Sequence, residues 1–282
     1  MIQCLNVCKS FSDKKILSDV CFNINEGQIF GLLGPSGAGK TTLIKILTGQ
    51  LSFDSGKVRI LDKPVEKLTG FDRKQIGIMM DQFGVYERLS CRDNLKIFAD
   101  IYGISYDRID ETLKTVGLID AAKTRASDLS KGMRARLQLA RVFMNSPKII
   151  FLDEPTSGLD PQFMRAIHRM ILDKKKSGCT IFLTTHNMEE AALLCDTVAL
   201  LNEGKIVDMD SPDKLCRKYN HQKKLNIHLK SGEDIELSNC EASAGKVAEL
   251  ILNGSLETIH SSEPTLETVF LELTGRKLQE EN

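Results

Sequence analysis

Gly34-Pro35-Ser36-Gly37-Ala38-Gly39-Lys40-Thr41, followed by Thr42, is the stretch on which the reading of this chain turns. It has the spacing GxxxxGK[ST] of a phosphate-binding loop. Its context agrees. Residues 28–33 form a continuous apolar run, as a strand covered on both faces requires. Residues 42–48 carry apolar residues at helical spacing and stop at Gly49. The glycines let the backbone curl until successive N–H groups face one point, and the helix N-terminus adds its positive end. Lys40 then reaches the β- and γ-phosphates of a nucleoside triphosphate, and the Thr41 hydroxyl ligates Mg²⁺. The bare pattern arises by accident in roughly 1% of chains of this length, and the strand–loop–helix context lowers that further.

A metal needs a second ligand. Residues 148–153, Lys-Ile-Ile-Phe-Leu-Asp, read as an apolar strand ending in a carboxylate, and Glu154 follows directly. Adjacent carboxylates repel each other. A metal held by Asp153 relieves the first, leaving Glu154 to orient or deprotonate a water that attacks the γ-phosphate.

Around these two segments the pattern alternates. Residues 2–7, 20–24, 57–60 and 76–80 read as strands, as do 149–152, 181–184, 198–201 and 205–209. Helices are expected at 162–176 and 188–195, which implies a parallel sheet. Residues 92–102, 106–116 and 131–145 are helical in period, with Ser130 as a cap. They read as a helical subdomain, at about 87–145, inserted into an α/β core. Lys174-Lys175-Lys176 reads as a solvated helix end. Beyond a polar joint at 220–225, a hairpin around Ser231-Gly232 and helices at 244–252 and 265–273 make a small α+β unit. The expected division is 1–217 and 218–282.

The 282 residues carry 38 Lys plus Arg against 38 Asp plus Glu. Zero formal charge argues against broad attraction to nucleic acid or anionic lipid. No apolar run approaches the ~18 residues of a membrane span, and residues 1–10 carry no signal pattern, so a cytosolic location is expected. The eight cysteines show no CxxC pair or zinc spacing and read as buried or half-buried thiols.

Taken together, residues 1–217 resemble the ATP-binding subunit of ABC transporters. Gly34–Thr42 is similar to the Walker A loop, and the run Phe151-Leu152-Asp153-Glu154-Pro155-Thr156 to Walker B with its catalytic glutamate. Gln82 stands at the Q-loop position, and Leu129-Ser130-Lys131-Gly132-Met133 at that of the LSGGQ signature. Ser157-Gly158-Leu159-Asp160 looks like the D-loop, and His186 looks like the switch histidine. Phe11 is similar to the aromatic that stacks on adenine.

The resemblance implies a P-loop NTPase fold, with a RecA-like core, an N-terminal antiparallel β region, the inserted helices and a C-terminal extension. It implies ATP and Mg²⁺ as ligands. Lys40, Glu154, His186 and Gln82 would be catalytic, and Thr41, Asp153 and Gln82 would face the metal. Phe11 and Gly34, Pro35, Ser36, Gly37, Ala38, Gly39, Lys40, Thr41 and Thr42 would hold the nucleotide. Ser130, Gly132 and Asp160 would meet the nucleotide of a twin subunit. Lys131 and Met133 depart from the signature, which puts the strength of ATP-driven pairing in question.

A separate membrane permease is implied, docking beside Gln82, with Phe83, Val85 and Tyr86 as apolar contacts. The chain would then be peripheral on the inner face of the membrane, as a homodimer. Residues 263–275 are similar to the tail of bacterial exporter ATPases that move antibiotics, peptides, lipid-linked compounds or sodium, which implies export of a drug or antimicrobial peptide. As an amphipathic helix, its face of Leu266, Val269, Phe270 and Leu273 must pack on its own domain or on the twin. A soluble ABC ATPase of translation or DNA is the alternative. The single cassette, the neutral charge and the short 41–152 segment weigh against it.

Overall fold

The structure is a computed structural model and describes residues 1–80, 84–221, 223–262 and 264–275. A hairpin of β1 (Ile2–Phe11) and β2 (Lys14–Ile24) precedes β3 (Ile29–Leu33), the glycine loop and α1 (Lys40–Leu47). There follow β4 (Ser55–Ile60), β5 (Lys63–Pro64), α2 (Gly70–Lys74) and β6 (Ile76–Met79). Three helices come next, α3 (Cys91–Tyr102), α4 (Asp107–Thr115) and α5 (Lys131–Met144). The alternation resumes with β7 (Ile149–Asp153), α6 (Pro161–Lys176), β8 (Thr180–Thr185), α7 (Met188–Leu194), β9 (Thr197–Asn202) and β10 (Lys205–Asp210).

These ten strands make two sheets. One is antiparallel, in the order β2-β1-β4-β5; the other has six strands in the order β10-β9-β3-β8-β7-β6. In the second, β3 lies parallel to β8 and β9, and β7 parallel to β8 and β6. Only β10 runs antiparallel, because a tight turn at Glu203-Gly204 replaces the crossover helix. Every residue of β3, β7 and β8 is buried. Each large apolar side chain so buried contributes about 1.5–3 kcal/mol relative to exposure. Phe182 packs at 5.6 Å from both Phe30 and Phe151, and Phe22 stacks on Phe30 at 5.0 Å. Parallel strands covered on both faces all point their C-terminal ends to one edge, where the glycine loop, Asp153 and Thr185 emerge.

The inserted helices have a core of their own, built from Leu95, Ile109, Leu113, Val116 and Leu137 among others. Ser130 caps α5 as expected: its hydroxyl accepts the Met133 N–H at 3.2 Å. The solvated reading of the three lysines holds only for Lys176. Lys174 lies 4.8 Å from the Phe143 ring and Lys175 pairs with Asp196.

The chain divides into two compact units after Asp210. This lies before the expected boundary at 217, because the unread helix α8 (Pro212–Lys218) packs against α10 (Leu266–Thr274). Between them lie β11 (Lys224–Leu229), β12 (Asp234–Ser238), α9 (Glu241–Leu252) and β13 (Leu256–Ser262), an unread strand that pairs antiparallel with β11. Leu266, Val269 and Phe270 are buried within this second unit, as is Leu215 of α8. Of the cysteines, Cys21 and Cys240 are exposed, contrary to the buried or half-buried expectation. Cys21 sits on the outer face of β2, and Cys240 precedes α9, which buries none of its residues.

Candidate nucleotide site

The loop between β3 and α1 wraps its own lysine. The Lys40 ammonium, 6% exposed, donates to the carbonyls of Gly34 at 2.7 Å and Pro35 at 3.2 Å. Gly39 has φ +109°, which L side chains rarely adopt, and a Cβ there would meet the Leu17 side chain at 2.8 Å. A Cβ on Gly34 would meet the Leu201 carbonyl at 2.4 Å. The glycines are therefore required by curvature and by close approach. Ala38 is buried, with its N–H on the Pro35 carbonyl.

The carboxylates arrive from β7. Asp153 accepts from the Thr41 hydroxyl at 2.8 Å and from the Thr184 hydroxyl. Glu154 adopts φ +49°, a left-handed conformation costing about 1–2 kcal/mol for a non-glycine residue. Its N–H is held by the Thr184 carbonyl at 3.0 Å. That turn aims the side chain back toward the loop. One carboxylate oxygen lies 3.2 Å from the Lys40 ammonium; the other is 2.6 Å from His186 Nδ1. Lys40, Glu154 and His186, from three segments, thus converge on one point.

A cavity of about 520 Å³ opens beside them, lined by Phe11, Ser36, Gly37, Gly39, Lys40, Thr41, Thr42, Asp153 and Glu154. This volume is in the range of a small-ligand pocket. Phe11, the last residue of β1, is 48% exposed, with the Lys9 ammonium 5.3 Å from the centre of its ring. Gly34, Pro35 and Ala38 support the loop from behind and do not line the cavity. Ser130, Gly132 and Asp160 are not in its walls either. Gly132 packs on Phe163, and Asp160 is exposed at the start of α6. Lys131 Nζ lies against the backbone of Gly158, so close that a Cβ there would sit 2.2 Å away. Gln82 and Phe83 lie outside the described residues.

The donor set suits a hard divalent cation. The Thr41 hydroxyl and the Asp153 carboxylate are adjacent oxygens at the cavity wall, the type and number that Mg²⁺ takes from a protein when phosphates supply others. Sequence reasoning did not single out Thr184, which positions both carboxylates. Nor did it find a buried trio of Thr156, His168 and Glu190. The Glu190 carboxylate accepts from the Thr156 hydroxyl at 2.6 Å and lies 2.9 Å from His168 Nε2. The available signal was the position of Glu190 in the first turn of the helix that follows His186.

Comparisons with known proteins agree with this geometry. The ABC transporter family model matches residues 17–157. A fluoroquinolones export ATP-binding protein of Mycobacterium tuberculosis is 40% identical over 264 residues, covering 91% of this chain and 87% of that protein. A Nod factor export ATP-binding protein I of Bradyrhizobium diazoefficiens is 35% identical, covering 99% and 97%. Among solved structures, a dimeric ATP-binding cassette in a post-hydrolysis state with ADP and Pi is 26% identical with a TM-score of 0.68. That match covers 75% of this chain and 98% of the other.

Proposed function

The chain belongs to the ABC transporter family, and we propose that it hydrolyses ATP to power export of a drug, antimicrobial peptide or similar compound through a separate membrane permease. The observation that carries the catalytic part is the convergence of Lys40 and His186 on the two oxygens of Glu154. Support for export comes from the named relatives, which match over nearly the full chain.

In this reading Phe11 stacks on adenine, and the loop N–H groups take the phosphate oxygens. The Lys40 charge moves from Glu154 to the incoming β- and γ-phosphates. Glu154, so released, orients the attacking water and accepts its proton. His186 holds that water or the γ-phosphate oxygen. Thr41 and Asp153 would hold Mg²⁺, which when bound would neutralise charge on the phosphate oxygens; Gln82, outside the described residues, is assigned to the metal by the resemblance alone. Ser130, Gly132 and Asp160 belong to the site of a second copy. Their absence from the described wall of the cavity supports this. Closure of two copies then completes each site.

No helix among the described residues is long and apolar enough to cross a membrane. The Val85 side chain packs into the helical core, which leaves Tyr86, 52% exposed, as an apolar contact. A groove beside the helical insertion adds Ile78, Ile101 and Tyr102. It also carries Arg73, Lys74 and Arg141 and no carboxylate among its described lining residues, which suits an acidic amphipathic segment.

The test is export from cells expressing the chain together with its membrane permease. Cells with the native chain are expected to lower their content of a fluorescent fluoroquinolone at least several-fold, and cells with Lys40→Ala to show no such loss. Equal content in both overturns the export reading. ATP turnover by the same purified chains reports separately on hydrolysis.

A further inference from the structure

Glu190 is 1% exposed, at the third position of α7. One of its carboxylate oxygens receives the Thr156 hydroxyl and faces His168; the other is buried with no partner among the described residues. Thr156 and His168 are 5% and 8% exposed. A buried carboxylate is costly unless its partners repay it, and an apolar side chain would pack the same space at less cost. The arrangement joins three elements at one point: the loop after β7, α6 through His168, and α7.

We propose that Glu190 is a positioning residue for hydrolysis, which fixes, through Thr156, the loop running from Glu154 to Asp160. Beyond Glu154, which Lys40, His186 and Thr184 hold, that loop has few side-chain anchors. Glu154 and Gly158 are left-handed at φ +49° and +63°, and two tight turns, Ser157 N–H to the Glu154 carbonyl and Leu159 N–H to the Thr156 carbonyl, shape its middle. Among the described residues from 155 to 160, Thr156 alone has a side-chain hydrogen bond to another element. The same α7 turn begins immediately after His186, and its Asn187 cap accepts the Glu190 N–H at 3.0 Å. One carboxylate therefore sets the spacing between the segment bearing Glu154 and the segment bearing His186. Through the far end of the loop it also sets where Asp160 is offered to a second copy.

The inference rests on Glu154 acting in hydrolysis, so Glu154→Gln is measured alongside. The test compares Thr156→Val, which keeps shape and loses the donor, with Thr156→Ser, which keeps the donor. Steady-state ATP turnover is expected to fall about 10- to 100-fold in kcat for Thr156→Val, the size of effect a small misplacement causes. KM for ATP should stay within about twofold, and Thr156→Ser should restore kcat. Hydrogen exchange at the Ser157 and Leu159 amides, read without turnover, should be faster in Thr156→Val and native in Thr156→Ser. A Thr156→Val chain that melts earlier yet keeps native kcat and native exchange in the loop overturns the proposal. So does a loss confined to ATP binding. Retained turnover in Glu154→Gln would instead refute the base assignment and leave the loop measurements to be judged by exchange alone.

Discussion

Gly39 shows how much of this site is decided by single backbone positions. Its left-handed φ lets the loop turn so that Lys40 folds back onto the Gly34 and Pro35 carbonyls, and the space a Cβ needs is taken by Leu17 and the Ile16 carbonyl. Gly39→Ala is expected to destabilise the chain by about 1–2 kcal/mol from backbone strain alone. That corresponds to a fall in melting temperature of roughly 2–8 °C at this size. Because the loop must also open its curve, ATP affinity should drop at least tenfold, measured by nucleotide titration. An unchanged affinity would mean the curvature does not matter to binding. Glu154 is the complementary case, a non-glycine residue held left-handed by Thr184. Strain of this kind at a reacting group is retained where the surroundings over-determine it. The loop and both carboxylates were legible in the sequence, because their spacing is local. Thr184 was not, and neither was the Glu190 trio. Glu190 lies 34 positions from Thr156 and 22 from His168, so only the packing of α6, α7 and the loop after β7 brings them together.

At the scale of elements, legibility followed burial. Strands β3, β7 and β8 are buried throughout and stand out as unbroken apolar runs. Strand β13, Leu-Glu-Thr-Ile-His-Ser-Ser, is mostly exposed and has no such run; β11 recruits it through backbone pairing. Helix α8 has seven residues, too few for a period to show. Helix α2 is shorter still and is held by its cap. The Asp72 carboxylate receives the Lys63 ammonium at 2.7 Å, the Thr69 hydroxyl at 2.7 Å and the Thr69 N–H at 2.9 Å. The bond from Lys63, then those from Thr69, lower its pKa to about 2. A depressed carboxylate pKa favours the folded state above the unfolded value of about 3.9, and that contribution is lost as pH falls through the folded value. Asp72→Asn should therefore melt below the native chain above about pH 4. The gap should close as pH approaches about 2. A gap of constant size across that range would contradict the assigned cause.

At the scale of the molecule, the proposed nucleotide cavity is assembled within the unit that ends at Asp210, from both of its sheets: Phe11 from the antiparallel one, and the glycine loop, Asp153 and Glu154 from the parallel one. Ser130, Gly132 and Asp160 stand apart from that cavity in the same chain. The account therefore requires a second copy for turnover, and the substituted signature, with Lys131 against Gly158, makes this requirement worth measuring directly. The decisive measurement is ATP hydrolysis by the purified chain beside Glu154→Gln, over a range of protein concentrations, with oligomeric state followed with and without ATP. The account predicts native turnover per chain that rises with concentration, and a Glu154→Gln chain that is inactive yet dimeric once ATP is added. Turnover per chain independent of concentration in a monomer, or hydrolysis retained by Glu154→Gln, would contradict it.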